Sequence, residues 1–137
     1  MILNLKDGDN TLSRNCYWLS KTGQYLELDT YSTPNLTARA KGQKTANGVC
    51  TIQANFNNSS KQLSFWNRLQ VRKASKAGEK VERVLPVFYE KNYFSLTSQE
   101  QQSIGIDFQH NAEGGIPELW IKGWNQDWIQ IPIDWEK

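Results

Sequence analysis

The sequence predicts an all-β protein. Apolar and polar residues alternate with period two in one segment after another, turn-forming clusters interrupt them at intervals of roughly ten residues, and helical periodicity is scarce. At 137 residues the chain has the size of one domain and can bury a core without metals or a disulfide lattice.

The first segments form a hairpin. Ile2 to Lys6 and Thr11 to Leu19 flank Asp7-Gly8-Asp9-Asn10, a strong turn signal. Residues 21–35 contain Gly23, Pro34 and many polar side chains, with one short apolar patch at Tyr25, Leu26 and Leu28, and read as a connector. The expected organisation is therefore a terminal hairpin over residues 1–20, a connector over 21–35 and one further domain over 36–137.

Within that domain, Val49 to Phe56 turns Cys50, Ile52, Ala54 and Phe56 to one face. Leu63 to Val71 turns Leu63, Phe65, Asn67, Leu69 and Val71 one way and Trp66, Arg68 and Gln70 the other. Asn57-Asn58-Ser59-Ser60-Lys61 between them is turn-forming, which predicts neighbouring antiparallel strands. A turn over Lys73 to Lys80 precedes Val81 to Val84 and Tyr93 to Leu96. Gln102 to Phe108 follows with Ile104, Ile106 and Phe108 inward, and then a loop over residues 111–115. Leu119 to Trp124 and Trp128 to Ile133 close the chain, the latter with Ile129, Ile131 and Ile133 on its buried side. Pro132 lacks an amide donor and predicts that this strand is an edge strand or ends there. About seven short antiparallel strands without a covering helix make a β-sandwich of the immunoglobulin kind. The Cys-Trp-Cys core of antibody domains is missing.

Composition excludes several functions. Sixteen Lys and Arg against fourteen Asp and Glu leave a net charge of +2, too balanced to build the one-sided field that nucleic acid requires. No apolar run approaches the roughly 20 residues of a membrane helix. The start at Met1 shows no signal-peptide pattern, which in a fragment carries no information about the full protein. Cys16 and Cys50 are expected as small buried thiols on strands, with one bridge between them as the alternative. Together with a lone His110 they offer no close-spaced ligand pair, so no metal or other cofactor is expected.

Candidate catalytic groups are sparse. Glu27 with Asp29, and Asp107 with Glu113 near His110, are the nearest carboxylate pairings, and no nucleophile-elbow Ser or Cys accompanies His110. No catalytic residue is expected. The residues that ask for a function are the tryptophans, six in all. Trp120 and Trp124 share a strand face opposite Leu119 and Ile121, and Trp128 follows four positions later. Such rings serve as stacking platforms for a carbohydrate, as contacts to a neighbouring domain, or as ordinary packing. Tyr17 and Trp18 face opposite sides of their strand, so one ring is expected in a domain core and the other between domains, with Trp18 a candidate for interface or sugar contact. The hairpin's free edges predict strand-mediated association between copies of the chain.

Four ordered motifs carry a resemblance to glycoside hydrolase family 2. Asn15-Cys16-Tyr17-Trp18-Leu19 resembles that family's Asn-x-Tyr-Trp-Leu. Leu85-Pro86-Val87 followed by Asn92-Tyr93-Phe94-Ser95-Leu96 resembles its Leu-Pro-Val and the strand after it. The next turn is Thr97-Ser98-Gln99-Glu100 where many relatives carry Pro-Gly-Glu, and Gly123-Trp124-Asn125 resembles a closing Gly-Trp-Asn. The resemblance is to the C-terminal immunoglobulin-like domain of exo-β-glucosaminidase and β-mannosidase types, the hairpin belonging to the domain before. It implies a parent enzyme whose two carboxylates, about 5 Å apart, perform retaining hydrolysis. In the family those carboxylates lie on a separate (β/α)₈ barrel of at least about 200 residues, so none is carried onto this chain. The implied role is support of the barrel, with a carbohydrate-binding module as the alternative; the implied partners are the parent's other domains.

Overall fold

The computed structural model describes residues 1–74, 82–110 and 115–136. The chain divides into two compact units, Met1–Tyr31 and Ser32–Lys137.

In the first unit, strands β1 (Ile2–Asp7) and β2 (Asn10–Cys16) pair antiparallel around a turn that holds Gly8 at φ +57°. Mutual bonds between the Met1 and Tyr17 main chains extend the pairing. A 3₁₀ turn, Leu26–Thr30, lies in the stretch expected to be a plain connector. Every residue of β1 is exposed, and Leu3, Leu5, Leu12, Tyr17 and Leu19 are also open to solvent.

The second unit is the sandwich. Its strands are β3 (Leu36–Lys44), β4 (Val49–Asn58), β5 (Ser64–Lys73), β6 (Val87–Tyr89), β7 (Phe94–Leu96), β8 (Gln101–Gln109), β9 (Pro117–Gly123), β10 (Gln126–Ile131) and β11 (Ile133–Trp135). One sheet has the order β10-β9-β5-β7 and the other β11-β3-β4-β8-β6. The core lies between them. Cys50, Ile52, Ala54 and Phe56 of β4 and Ile104, Ile106 and Phe108 of β8 meet Leu69, Val71, Leu119, Ile121 and Leu96 from the other sheet. The period-two faces read from the sequence in β4 and β8 are those that are buried.

Several expectations are corrected. Where about seven strands were expected, nine occur among the described residues. Leu36–Lys44, Val87–Tyr89 and Ile133–Trp135 were not anticipated, while the expected Val81–Val84 contributes an isolated bridge between Arg83 and Arg72. Val81, most of the Lys73 to Lys80 turn and residues 111–114 lie outside the described residues. Strands β4 and β5 are not paired with each other. The turn between them carries the chain from one sheet to the other, because β4 already has β3 and β8 on its two edges.

Pro132 acts as expected. Strand β10 is an edge strand that stops at Ile131, and after the proline β11 joins the opposite sheet parallel to β3. Gly42 of β3 makes room for it, since a Cβ there would lie 2.5 Å from the Trp135 ring. Ile129 is exposed rather than buried. It faces Ile121 across a register shift on an open edge, where no further strand covers it.

Asparagine side chains secure the places where pairing changes. Asn58 is fully buried. Its amide NH₂ donates to the Gln62, Leu96 and Thr97 carbonyls at 2.7, 3.0 and 3.1 Å, and its carbonyl accepts from the Ser60 amide and hydroxyl. Asn58-Ser59-Ser60 has the Asn-x-Ser form of a glycosylation acceptor, and these bonds leave no room for a glycan on it in the folded state. Asn92 acts as a strand surrogate, accepting from Leu69 N–H at 2.8 Å and donating to Leu69 C=O at 3.3 Å.

Replacing Asn58→Ala strands buried carbonyls, and a loss of about 2–3 kcal/mol is expected in urea unfolding. Tyr89 gives a pH test. Burial pushes its phenol up, outweighing the Val71 amide bond and Arg83, which lower it. The fold therefore favours the neutral phenol, and this stability is complete below the unfolded value of about 10 and is lost as pH rises through the higher folded value. Tyr89→Phe, which leaves the Val71 amide without its acceptor at 3.2 Å, is expected to cost about 1 kcal/mol near neutrality. The variant should also lose less stability than the parent between pH 9 and 11, roughly the range that spans the tyrosine titration.

Candidate functional site

The outward face of the β10-β9-β5 strands is built by alternation. Strand β5 turns Arg68, Gln70 and Arg72 outward opposite Lys122, Trp120 and Glu118 of β9. The Arg72 guanidinium lies 4.7 Å from the Trp120 ring centre and 4.0 Å from that of Trp128, and Arg68 lies 4.8 Å from Trp128. Side-chain bonds fix this stack. Arg72 donates to Gln70 Oε1 from Nε and Nη2 at 3.2 and 3.1 Å, and Trp120 Nε1 donates to Glu118 Oε2 at 2.9 Å. Arg72 is only 8% exposed. Burial and neighbouring Arg68 lower its pKa, Glu118 opposing them, but a guanidinium stays charged in water at any ordinary pH. Trp120 and Trp128 are thus half-buried parts of the chain's own framework.

Trp124 differs. It sits in the tight turn from β9 to β10 and is 59% exposed. Its amide donates to the Phe65 carbonyl at 2.7 Å. Asn125 Oδ1 accepts from Phe65 N–H at 3.1 Å, while its NH₂ donates to Leu63 and Ser32 carbonyls at 2.8 and 2.9 Å. Gly123 must be small, because a Cβ there would lie 2.7 Å from Asn67 Oδ1. The Gly-Trp-Asn motif is therefore a clamp on the start of β5 that leaves one indole outside. Next to it Gln126 is buried, and neither of its side-chain amide atoms has a hydrogen-bond partner.

Sequence reasoning put Trp66 on the outward face but gave it no role. In the structure it is 49% exposed, at φ +50° in a bulge of β5, with its amide donating to Ser95 Oγ at 2.9 Å. The Phe65 ring meets Trp66 edge-on at 5.6 Å and Trp124 at 6.5 Å. No periodicity signal marks a left-handed tryptophan.

Trp18 belongs to the first unit. It lines a hollow of ≈ 460 Å³ with Tyr25, Tyr31, Glu27 and Lys21, and its carbonyl accepts from the Tyr25 hydroxyl. The sandwich has a smaller hollow, ≈ 290 Å³, walled by Cys50, His110, Trp135 and Glu136. It holds no activated nucleophile. Cys50 is fully enclosed, and burial pushes its thiol up more than Lys44 lowers it. His110 is buried with Nε2 against the Gly115 carbonyl. Cys16 is half-buried, and both cysteines are free thiols.

The carboxylates named in the sequence fall in separate places. Asp107 accepts from the Thr51 hydroxyl at 2.7 Å, Glu27 and Asp29 lie on the 3₁₀ turn of the first unit, and Glu113 lies outside the described residues. Among the described residues no three His, Cys, Asp or Glu side chains gather as metal ligands.

Residues 15–126 match the family model of the exo-β-D-glucosaminidase Ig-fold domain. The chain belongs to that family. The matched span opens on Asn15-Cys16-Tyr17-Trp18-Leu19 and closes just past Gly123-Trp124-Asn125. An exo-β-D-glucosaminidase of Arthroderma benhamiae is 28% identical over 134 residues, covering 87% of this chain and 14% of that protein. A mannosylglycoprotein endo-β-mannosidase of Lilium longiflorum is 35% identical over 65 residues, 46% of this chain and 7% of its own. The exo-chitosanase CsxA of Amycolatopsis orientalis superposes with a TM-score of 0.77 at 24% identity, over 96% of this chain and 17% of that one, which bears on the fold. The chain thus spans about one-seventh or less of the curated relatives it matches. An Ig-fold domain of this family is an accessory part of a glycosidase and is not catalytic by itself.

A double-mutant cycle on Arg72→Met and Trp128→Leu should give a coupling of about 1–2 kcal/mol in thermal or urea unfolding, as expected for a desolvated cation over an indole. A coupling near zero would mean that the stack is geometric coincidence.

Proposed function

We propose that this chain is the C-terminal accessory domain of a family 2 glycosidase that hydrolyses β-glucosaminides or β-mannosides. In this reading it packs against the catalytic barrel and supports it. The observation that carries the proposal is the family match over residues 15–126, joined to relatives named for glucosaminidase and mannosidase activity of which this chain is a small share. The parent's reaction is then retaining hydrolysis by a carboxylate pair on the barrel.

The exposed hairpin supports a domain boundary inside the chain. A lone two-stranded hairpin is marginal in water, and this one turns Leu3, Leu5 and Tyr17 to solvent. In the proposed parent, residues 1–20 complete the sheet of the preceding domain and residues 21–35 lead into the sandwich. Tyr17 belongs to that domain's core, and Trp18 lies where two domains meet. With its edges free, the hairpin of the isolated chain pairs with another copy.

Two measurements test this. The full reading frame should encode a (β/α)₈ barrel with two facing carboxylates upstream; a frame without one would sink the proposal. A longer protein that begins one immunoglobulin-like domain upstream should protect the amides of residues 2–16 from hydrogen exchange, and fast exchange there would place the hairpin outside any domain core.

A further inference from the structure

Around Phe65 the molecule departs from ordinary practice in three ways at once. Trp66, a bulky residue, holds φ +50°, in the region that favours glycine. Gln126 is buried with its amide unpartnered. Two exposed indoles, Trp66 and Trp124, each meet the one buried Phe65 ring. The departures are neighbours, for a Cβ on Gly123 would touch Asn67, the Phe65 carbonyl and Gln126 Cβ together. Costs of this kind persist where the surrounding structure enforces them, and they cluster at ligand sites.

We infer that Trp66 and Trp124 form the platform of a binding site for a β-linked amino-sugar oligosaccharide. The contrast with Trp120 and Trp128 identifies the ligand chemistry. Those two indoles are covered by Arg72 and Arg68. Trp66 and Trp124 are instead left 49% and 59% exposed. A deacetylated amino sugar brings both an apolar pyranose face to lie on a ring and an ammonium, which an indole attracts. One carboxylate follows the Trp124 turn, beside Lys122 and with Arg68 opposite that lysine. Asp127, in strand β10 beyond the Trp124 turn, has a fully exposed side chain, and its pairing with Lys122 at 3.6 Å is loose enough to be exchanged for a ligand ammonium. The choice of amino sugar rests on the proposed parent activity; the platform itself does not.

The experiment is calorimetric titration of the full chain with a chitosan hexamer, and with N-acetylated and β-mannan hexamers as neutral probes. Saturable binding is expected for the chitosan hexamer, weakened by salt and by Asp127→Asn, and weaker for both neutral probes. Trp124→Ala and Trp66→Asn should each reduce affinity by about tenfold, the scale of one lost ring contact. Asparagine is chosen because it tolerates the left-handed region, and circular dichroism melts should show both variants folded. Trp120→Phe should bind as the parent chain does. Absence of binding by any probe, binding unchanged in both Trp66 and Trp124 variants, or neutral probes bound as tightly as chitosan would overturn the inference. Each of those results leaves the accessory-domain reading standing, since that depends on the upstream sequence.

Discussion

The sandwich depends on buried amides that replace missing strand pairing. Whenever the chain leaves one sheet for the other, backbone groups lose their ladder partners inside a core that water does not reach, and each must be bonded some other way. Asn58 does this between β4 and β5, taking up three carbonyls. Asn92 does it for Leu69, and Asn125 for Leu63 and Phe65. Each amide joins segments far apart in sequence, so the sheets are held in register at their crossings by side chains. The apolar core supplies the driving force for burial, but it is non-directional.

With β5 held in this way, its two faces take on separate tasks. The inward face is apolar apart from Asn67, which is satisfied by Ser64. The outward face, together with β9, carries arginines interleaved with tryptophans, and the stack lets the sheet keep large rings and long cations against one another instead of exposing both. Where the interleaving stops, at the Trp66 bulge and the Trp124 turn, the rings are left open. The framework and the candidate site are thus one pattern, complete in the middle of the sheet and interrupted at its end.

Much of this was legible in the sequence, for physical reasons. The alternation in Val49–Asn58 and Gln101–Gln109 is clean because each strand has a core on one side only and is paired on both edges. Leu36–Lys44 escaped because its inward positions are occupied by Ala38, Ala40 and Gly42, too small to mark a face, as Gly42 must be to admit Trp135. The three-residue strands are too short for any period. Pairing partners were misjudged where a turn cluster was taken for a hairpin, since Asn-rich turns serve sheet crossings equally well. Four tryptophans were singled out, but spacing could not tell those stacked by arginine from those left exposed, and Trp66 owes its prominence to a backbone angle that composition does not encode. The Thr97-Ser98-Gln99-Glu100 turn shows the converse. Gln99 holds φ +61°, in the region that favours glycine, where the resemblance implies Pro-Gly-Glu.

The disposition of the acids explains why an enzyme's domain can lack its chemistry. Retaining hydrolysis needs two carboxylates facing one another about 5 Å apart, one kept protonated by its surroundings. Here five of the described carboxylates are each spent on a bond of their own. Glu90 accepts from Gly105 N–H at 2.7 Å, Glu100 from the Thr97 amide and hydroxyl, Glu118 from the Trp120 indole, Glu82 from Lys73 and Glu136 from Gln43. A carboxylate held by a bond to its own strand or turn is not positioned to face a second. These five glutamates close turns and brace strands, and that use of them is different from the pairing that catalysis requires.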